Sequence, residues 1–171
     1  NLSHRNWTAI GAPDSAATPI VDPRGMATPH FDGWSLDGWV IAEDGRRLVP
    51  SRLHDAEQRL IMNERLIVET LTRKDGLSLK SESWAHTENG EPTLCLRLSA
   101  ETEEPADLVL ALRPCNPEGI SFIHDVEYQE RSRRWLVNDK QGIAFDRAPD
   151  RHLFSDYRKG DVFHRMAVAP K

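Results

Sequence analysis

Leu94-Cys95-Leu96-Arg97-Leu98-Ser99-Ala100 decides the fold class: leucines and an alanine hold the even positions, and Cys, Arg and Ser hold the odd ones. A period of two is the mark of a half-buried strand, with one face in a core and the other in water. The same beat runs outward from it. Leu108, Leu110 and Leu112 alternate with Val109, Ala111 and Arg113, and Ile120, Phe122, His124, Val126 and Tyr128 with Ser121, Ile123, Asp125 and Glu127. Turn signals separate the runs: Lys74-Asp75-Gly76, Glu88-Asn89-Gly90-Glu91, Glu103-Glu104-Pro105-Ala106 and Asn138-Asp139-Lys140-Gln141-Gly142. Asp-Gly and Asn-Gly supply positive φ cheaply and mark tight hairpins. The expected strands are 58–73, 77–87, 93–102, 107–115, 120–130, 134–138, 142–146 and 151–155. Many short strands joined by hairpins, with almost no helix, predict an all-β protein built as a large antiparallel β-sandwich.

The first 50 residues read differently. Pro13, Pro19, Pro23, Pro29 and Pro50 fall among Gly11, Gly25, Gly33, Gly38 and Gly45, a density that interrupts regular elements. Trp7, Ile10, Ile20, Val21, Trp34, Leu36, Trp39 and Val40 make the segment too apolar for a solvated linker. The expectation is an irregular N-terminal segment over 1–50, packed on a sandwich over 51–171, the whole being one domain. Short strands are expected at Thr8–Gly11, Leu36–Ala42 and Arg47–Val49. Ser51 to Met62 is the one helix candidate, with Leu53, Ala56, Leu60 and Ile61 at helical spacing. The alternative there is one long bulged strand running into the β-branched Leu66-Ile67-Val68.

The chain has 171 residues with 22 basic and 27 acidic side chains, a net charge of -5. That argues against nucleic-acid binding, which needs a basic face for phosphates. No apolar run approaches the roughly 20 residues of a membrane helix, so a membrane-spanning role is excluded on that ground. Asn1-Leu2-Ser3-His4-Arg5 leads straight into Asn6-Trp7 with no apolar core behind it, so no secretory leader is expected. The chain starts without Met, which fits a trimmed protein or a piece of a longer one. Cys95 and Cys115 are too few for a disulfide framework and cannot make a zinc site alone. A reducing, cytoplasmic setting is therefore expected, with no metal and no cofactor.

The familiar catalytic motifs are absent: there is no G-x-G-x-x-G, Walker loop, H-E-x-x-H, G-x-S-x-G or C-x-x-C. Candidate binding residues come from position and chemistry instead. Arg113-Pro114-Cys115-Asn116-Pro117-Glu118-Gly119 forms a rigid, non-helical corner. Arg113, Asn116 and Glu118 can present polar groups there, although such a corner is more often purely structural. His124 shares a face with Ile120, Phe122 and Val126, as a base, a ligand or a hydrogen-bonded core histidine. It cannot pair with adjacent Asp125, which points to the other side of a strand. Five tryptophans suit stacking on sugar rings as well as core filling, and Trp34 is the best candidate for an exposed one.

Several stretches together resemble a known family. They are Asn6-Trp7-Thr8-Ala9-Ile10-Gly11, Asp22-Pro23-Arg24-Gly25, Gly33-Trp34-Ser35-Leu36-Asp37, Val68-Glu69-Thr70, and Arg113 through Ile123. Over residues 6–130 the chain resembles the N-terminal β-sandwich of bacterial glycogen-debranching-like and glucoamylase-like glycoside hydrolases. In that family the sandwich is a "supersandwich" similar to galactose mutarotase, and it precedes a catalytic barrel of six helical hairpins. The resemblance implies an accessory domain with no catalytic residue of its own, since the family's acids belong to the barrel. It also implies an (α/α)6-type catalytic domain as partner, an α-glucan as ligand, and an apolar surface patch where the barrel docks. A homo-oligomer partner remains open. Two other functions stay in view: a stand-alone carbohydrate-binding module, with Trp34, Arg113, Asn116, Glu118 and His124 as its weak candidates, and a mutarotase-like epimerase using His124 as base and Glu118 as acid.

Overall fold

In a computed structural model the protein is all-β, with antiparallel sheets throughout. The structure describes residues 6–11, 18–30, 33–88, 91–156 and 158–166. The chain divides into two compact units, Asn1–Phe122 and Ile123–Lys171.

The first unit holds two larger sheets. One is built from β1 (Thr8–Ala9), β2 (Ile20–Val21), β3 (Ala27–Thr28), β4 (Ser35–Ala42), β5 (Arg47–Leu48) and β10 (Ala106–Arg113). Its order is β1-β2-β3-β4-β10, with β5 also paired to β4. The other is a meander of β6 (Glu57–Met62), β7 (Leu66–Lys74), β8 (Leu77–Glu88) and β9 (Glu91–Glu101). The Pro- and Gly-rich first 50 residues thus supply five strands, and β4 is central in its sheet and buried along its whole length.

The two sheets face each other. Val40, Ala42 and Leu48 of the first pack with Leu77 and Leu79 of the second, and Ala100 joins them. Ile10, Val21 and Ala27 pack with Val68, joined by Ala85, Leu94 and Leu96. Leu94, Leu96 and Ala100 are therefore the inward residues of the alternating stretch, as the two-residue beat requires. The sheets approach closely at Gly38, where a Cβ would stand 2.8 Å from Leu98 Cδ2. Any larger residue there would force Leu98 aside in a close-packed interior.

Turns follow the sequence signals. Asp75 and Gly76 both have positive φ, 51° and 75°, as a two-residue hairpin with right-handed twist demands. The Asn89-Gly90 turn lies outside the described residues, although β8 and β9 on either side of it are paired. Residues 51–62 are not a helix, nor is 58–73 one long strand. Pro50–Arg52 makes a single 3-10 turn, and Asn63 to Arg65 reverses the chain between β6 and β7. The β-branched and hydrogen-bonding demands of the sheet override the helical spacing of Leu53, Ala56 and Leu60.

β10 ends at the proline corner, where β11 (Cys115–Asn116) and β12 (Gly119–Ile120) form a miniature hairpin. The second unit is a three-stranded meander of β13 (Val126–Gln129), β14 (Arg134–Val137) and β15 (Gln141–Ala144). Its turn residues Asn138 and Asp139 have φ of 53° and 59°. The strands expected over 120–130 and 151–155 are corrected: 121–125 is irregular, and 151–155 belongs to no sheet. His152 within that segment lies against Tyr128, with ring centroids 4.1 Å apart, and accepts from Trp135 Nε1 at 3.2 Å. Aromatic packing rather than a ladder of backbone bonds holds it. A short helix, α1 (Val162–Arg165), is capped by Asp161, whose Oδ1 accepts from Phe163 N.

Candidate functional site

Asp37 lies on the central strand β4 and is only 2 % exposed. The period of two places it beside Trp39, whose Nε1 donates to Asp37 Oδ2 at 2.7 Å. The 3-10 turn brings Ser51 to the same oxygen, with Oγ donating at 2.8 Å. Register pairs Ala111 with Asp37 and Arg113 with Ser35, so Arg113 reaches diagonally over Trp39, 5.4 Å from its ring. Burial pushes the Asp37 carboxyl from 3.8 up to about 6, against the two donors that favour the anion. Asp22 pushes it further up and Arg113 pulls it down.

Asp22 belongs to the neighbouring Asp22-Pro23-Arg24-Gly25 turn. Its Oδ1 accepts from Arg24 N at 2.8 Å and Met26 N at 2.9 Å. Burial raises its pKa too, over the lowering effect of those backbone donors. Gln58 fastens the turn to the second sheet by donating to Asp22 O and Thr70 Oγ1. A buried carboxyl with a displaced pKa is the usual flag for an active site. Here Asp37 is almost wholly buried and Asp22 half-buried, whereas glycoside hydrolysis needs two carboxyls about 5–9.5 Å apart across an accessible sugar.

The sequence-derived candidates fall in distinct surroundings. Trp34 is 6 % exposed, so the expectation of an exposed stacking ring there is corrected: the ring belongs to the interior. Asn116 is buried and acts as a clasp, with Nδ2 donating to Gly33 O at 2.7 Å and Oδ1 accepting from Glu118 N and Gly119 N. The clasp ties the corner to the loop before β4, some 83 residues earlier. Glu118 is exposed at the tip of that corner. His124 is exposed in the second unit, and its backbone N donates to Asn138 Oδ1. Trp34, Arg113, Asn116 and Glu118 belong to the first unit and His124 to the second.

Spacing alone did not single out the outer face of the meander sheet. Register aligns Arg59, Glu69, Glu82 and Arg97 across its four strands, and beside them pairs Ile61 with Ile67 and Trp84 with Cys95. Arg59 Nε meets Glu69 Oε1 at 2.6 Å. The guanidinium carbons of Arg65 and Arg97 lie 4.9 and 5.3 Å from the Trp84 ring. Each residue is an ordinary polar position in its own strand, and only the pairing of distant strands assembles the row. An open cleft of about 620 Å³ lies at the end of this sheet, lined by Arg73 to Ser78 and Glu101 to Glu103.

Among the described residues no three His, Cys, Asp or Glu side chains are grouped to hold a metal ion, and no helix is long and apolar enough to cross a membrane. No family model, curated protein or solved structure matches the chain.

Proposed function

We propose that the chain is the non-catalytic β-sandwich of a cytoplasmic, glucoamylase-like or glycogen-debranching-like glycoside hydrolase, packing on an (α/α)6-type catalytic domain and helping to shape its glucan site. The observation that carries the docking is on edge strand β6. Register pairs Leu60 with Val68 and Met62 with Leu66. Val68 is 1 % exposed in the core, so this row points inward, yet Leu60 is 56 % and Met62 73 % exposed. The meander sheet therefore carries its apolar face past its cover. Adjacent exposed apolar side chains of this kind mark contact surfaces for other protein.

The enclosed Asp37 agrees with a scaffold role, as do the stretches that carry the family resemblance. Val68, Glu69 and Thr70, Trp34 through Asp37, and Asn116 are all buried and knit the sandwich together. Cys95 and Cys115 are thiols rather than a disulfide, which suits a reducing compartment.

The test combines the coding sequence beside these residues with co-expression. A helical domain of several hundred residues is expected there. It should co-purify with this chain, and the Leu60→Glu, Met62→Glu double variant should release it. Cleavage of maltooligosaccharides by this chain alone, or the lack of any helical domain encoded beside it, would overturn the reading.

A further inference from the structure

Cys95 stands on the outer face of the meander sheet, directly opposite Trp84 and one step from the row of His86 and Thr93. Its Sγ lies 3.4 Å from His86 Nδ1. Cys95 and His86 are both half-buried residues. Arg65 and Arg97 stack over Trp84, the residue paired with Cys95. Two carboxylates on this stretch of the face are themselves paired with cations: Glu82 lies 3.7 Å from Lys80 and 3.9 Å from Arg97, and Glu69 lies 2.6 Å from Arg59. A nucleophile within hydrogen-bond reach of a base, in cationic and partly exposed surroundings, is the arrangement that makes a cysteine reactive.

We propose that Cys95 is a thiol–disulfide exchange site of this protein, modified by low-molecular-weight disulfides that carry carboxylates, with His86 as its base and Arg65 and Arg97 as the anion-attracting groups. The Cys95 proton passes to His86 Nδ1, and Sγ attacks one sulfur of the incoming disulfide. That S–S bond breaks as the new one forms, and the departing thiolate recovers a proton from His86. One disulfide and one thiol enter, and one mixed disulfide and one thiol leave.

An ordinary thiol is only about 3 % thiolate at pH 7. A base that brought half of such thiols to thiolate would gain about sixteenfold in thiolate and lose about fivefold in nucleophilicity, a net rise in rate of about threefold.

The test uses the folded 171-residue chain, glutathione disulfide as the probe and peptide mass mapping as the readout. Cys115 is the internal reference. Cys95 is expected to acquire the glutathionyl group about three times faster than Cys115. His86→Gln should slow Cys95 by about threefold and leave Cys115 unchanged, which also reports that the variant is folded. Arg65→Gln with Arg97→Gln should remove the advantage of glutathione disulfide over the uncharged 2-hydroxyethyl disulfide. Equal rates at the two cysteines, or an unchanged Cys95 rate in His86→Gln, would overturn the site. An undiminished preference for the anionic probe in the arginine variant would overturn the role of the guanidinium groups.

Discussion

Replacing Asp37 by Asn should abolish a pH dependence of stability that the fold builds into its central strand. An amide oxygen in place of Oδ2 still accepts from Trp39 Nε1 and Ser51 Oγ, so the two bonds at 2.7 and 2.8 Å survive. Only the charge goes. Burial raises the folded-state pKa from 3.8 to about 6, so the folded protein holds the proton more tightly than the unfolded chain. Stability from this group is then full below about pH 4 and falls as the pH rises to about 6, where it levels. Some 2 pH units at about 1.4 kcal/mol each amount to about 3 kcal/mol. Asp22, also raised by burial, acts in the same sense in both proteins and largely drops out of the difference. Urea unfolding followed by tryptophan fluorescence between about pH 3.5 and 7.5 measures it. Asp37→Asn should gain about 3 kcal/mol on the parent protein across that range, all of it between about pH 4 and 6. A difference that is flat with pH, or that runs the other way, would refute a buried anion at Asp37.

Asn116→Ala removes one donor and one acceptor that together make three bonds, to Gly33 O, Glu118 N and Gly119 N. At about 1 kcal/mol net each it should cost about 3 kcal/mol, read as a lowered urea midpoint with an unchanged slope. Gly25→Ala places a Cβ 2.5 Å from Ser81 Oγ and 3.1 Å from Thr70 Cβ, at a φ of +86°. Left-handed strain of about 1–2 kcal/mol plus that crowding should cost more than the Asn116 change does. Adding Ser81→Ala should recover part of the loss, and no recovery would show that crowding against Ser81 is not its source.

The alternation of Leu94, Leu96, Leu98 and Ala100 was sufficient to place β9 and its inward face, because pleat geometry is local and has a fixed period. Asp75-Gly76 was legible for the same reason: a positive φ at two successive positions is a property of those residues. Residues 51–62 misled because helical spacing and a twisted edge strand share several apolar positions, and only pairing with β7 separates them. Trp34 misled differently. A tryptophan near glycines has the same appearance whether it is covered or open, and what covers it arrives from elsewhere in the chain.

The site residues divide along that line. Arg113, Asn116 and Glu118 are legible as a polar corner from two prolines and a glycine, since these restrict the backbone wherever they stand. That Asn116 clasps Gly33 is not legible, because nothing in either stretch refers to the other. Local polarity and turn chemistry, acting over two to four residues, therefore settled from sequence that this chain forms antiparallel strands with one apolar face. Which strands became neighbours was decided by burial of those faces against each other. That choice alone enclosed Asp37 with Trp39 and Ser51, left Leu60 and Met62 uncovered, and set Cys95 against His86.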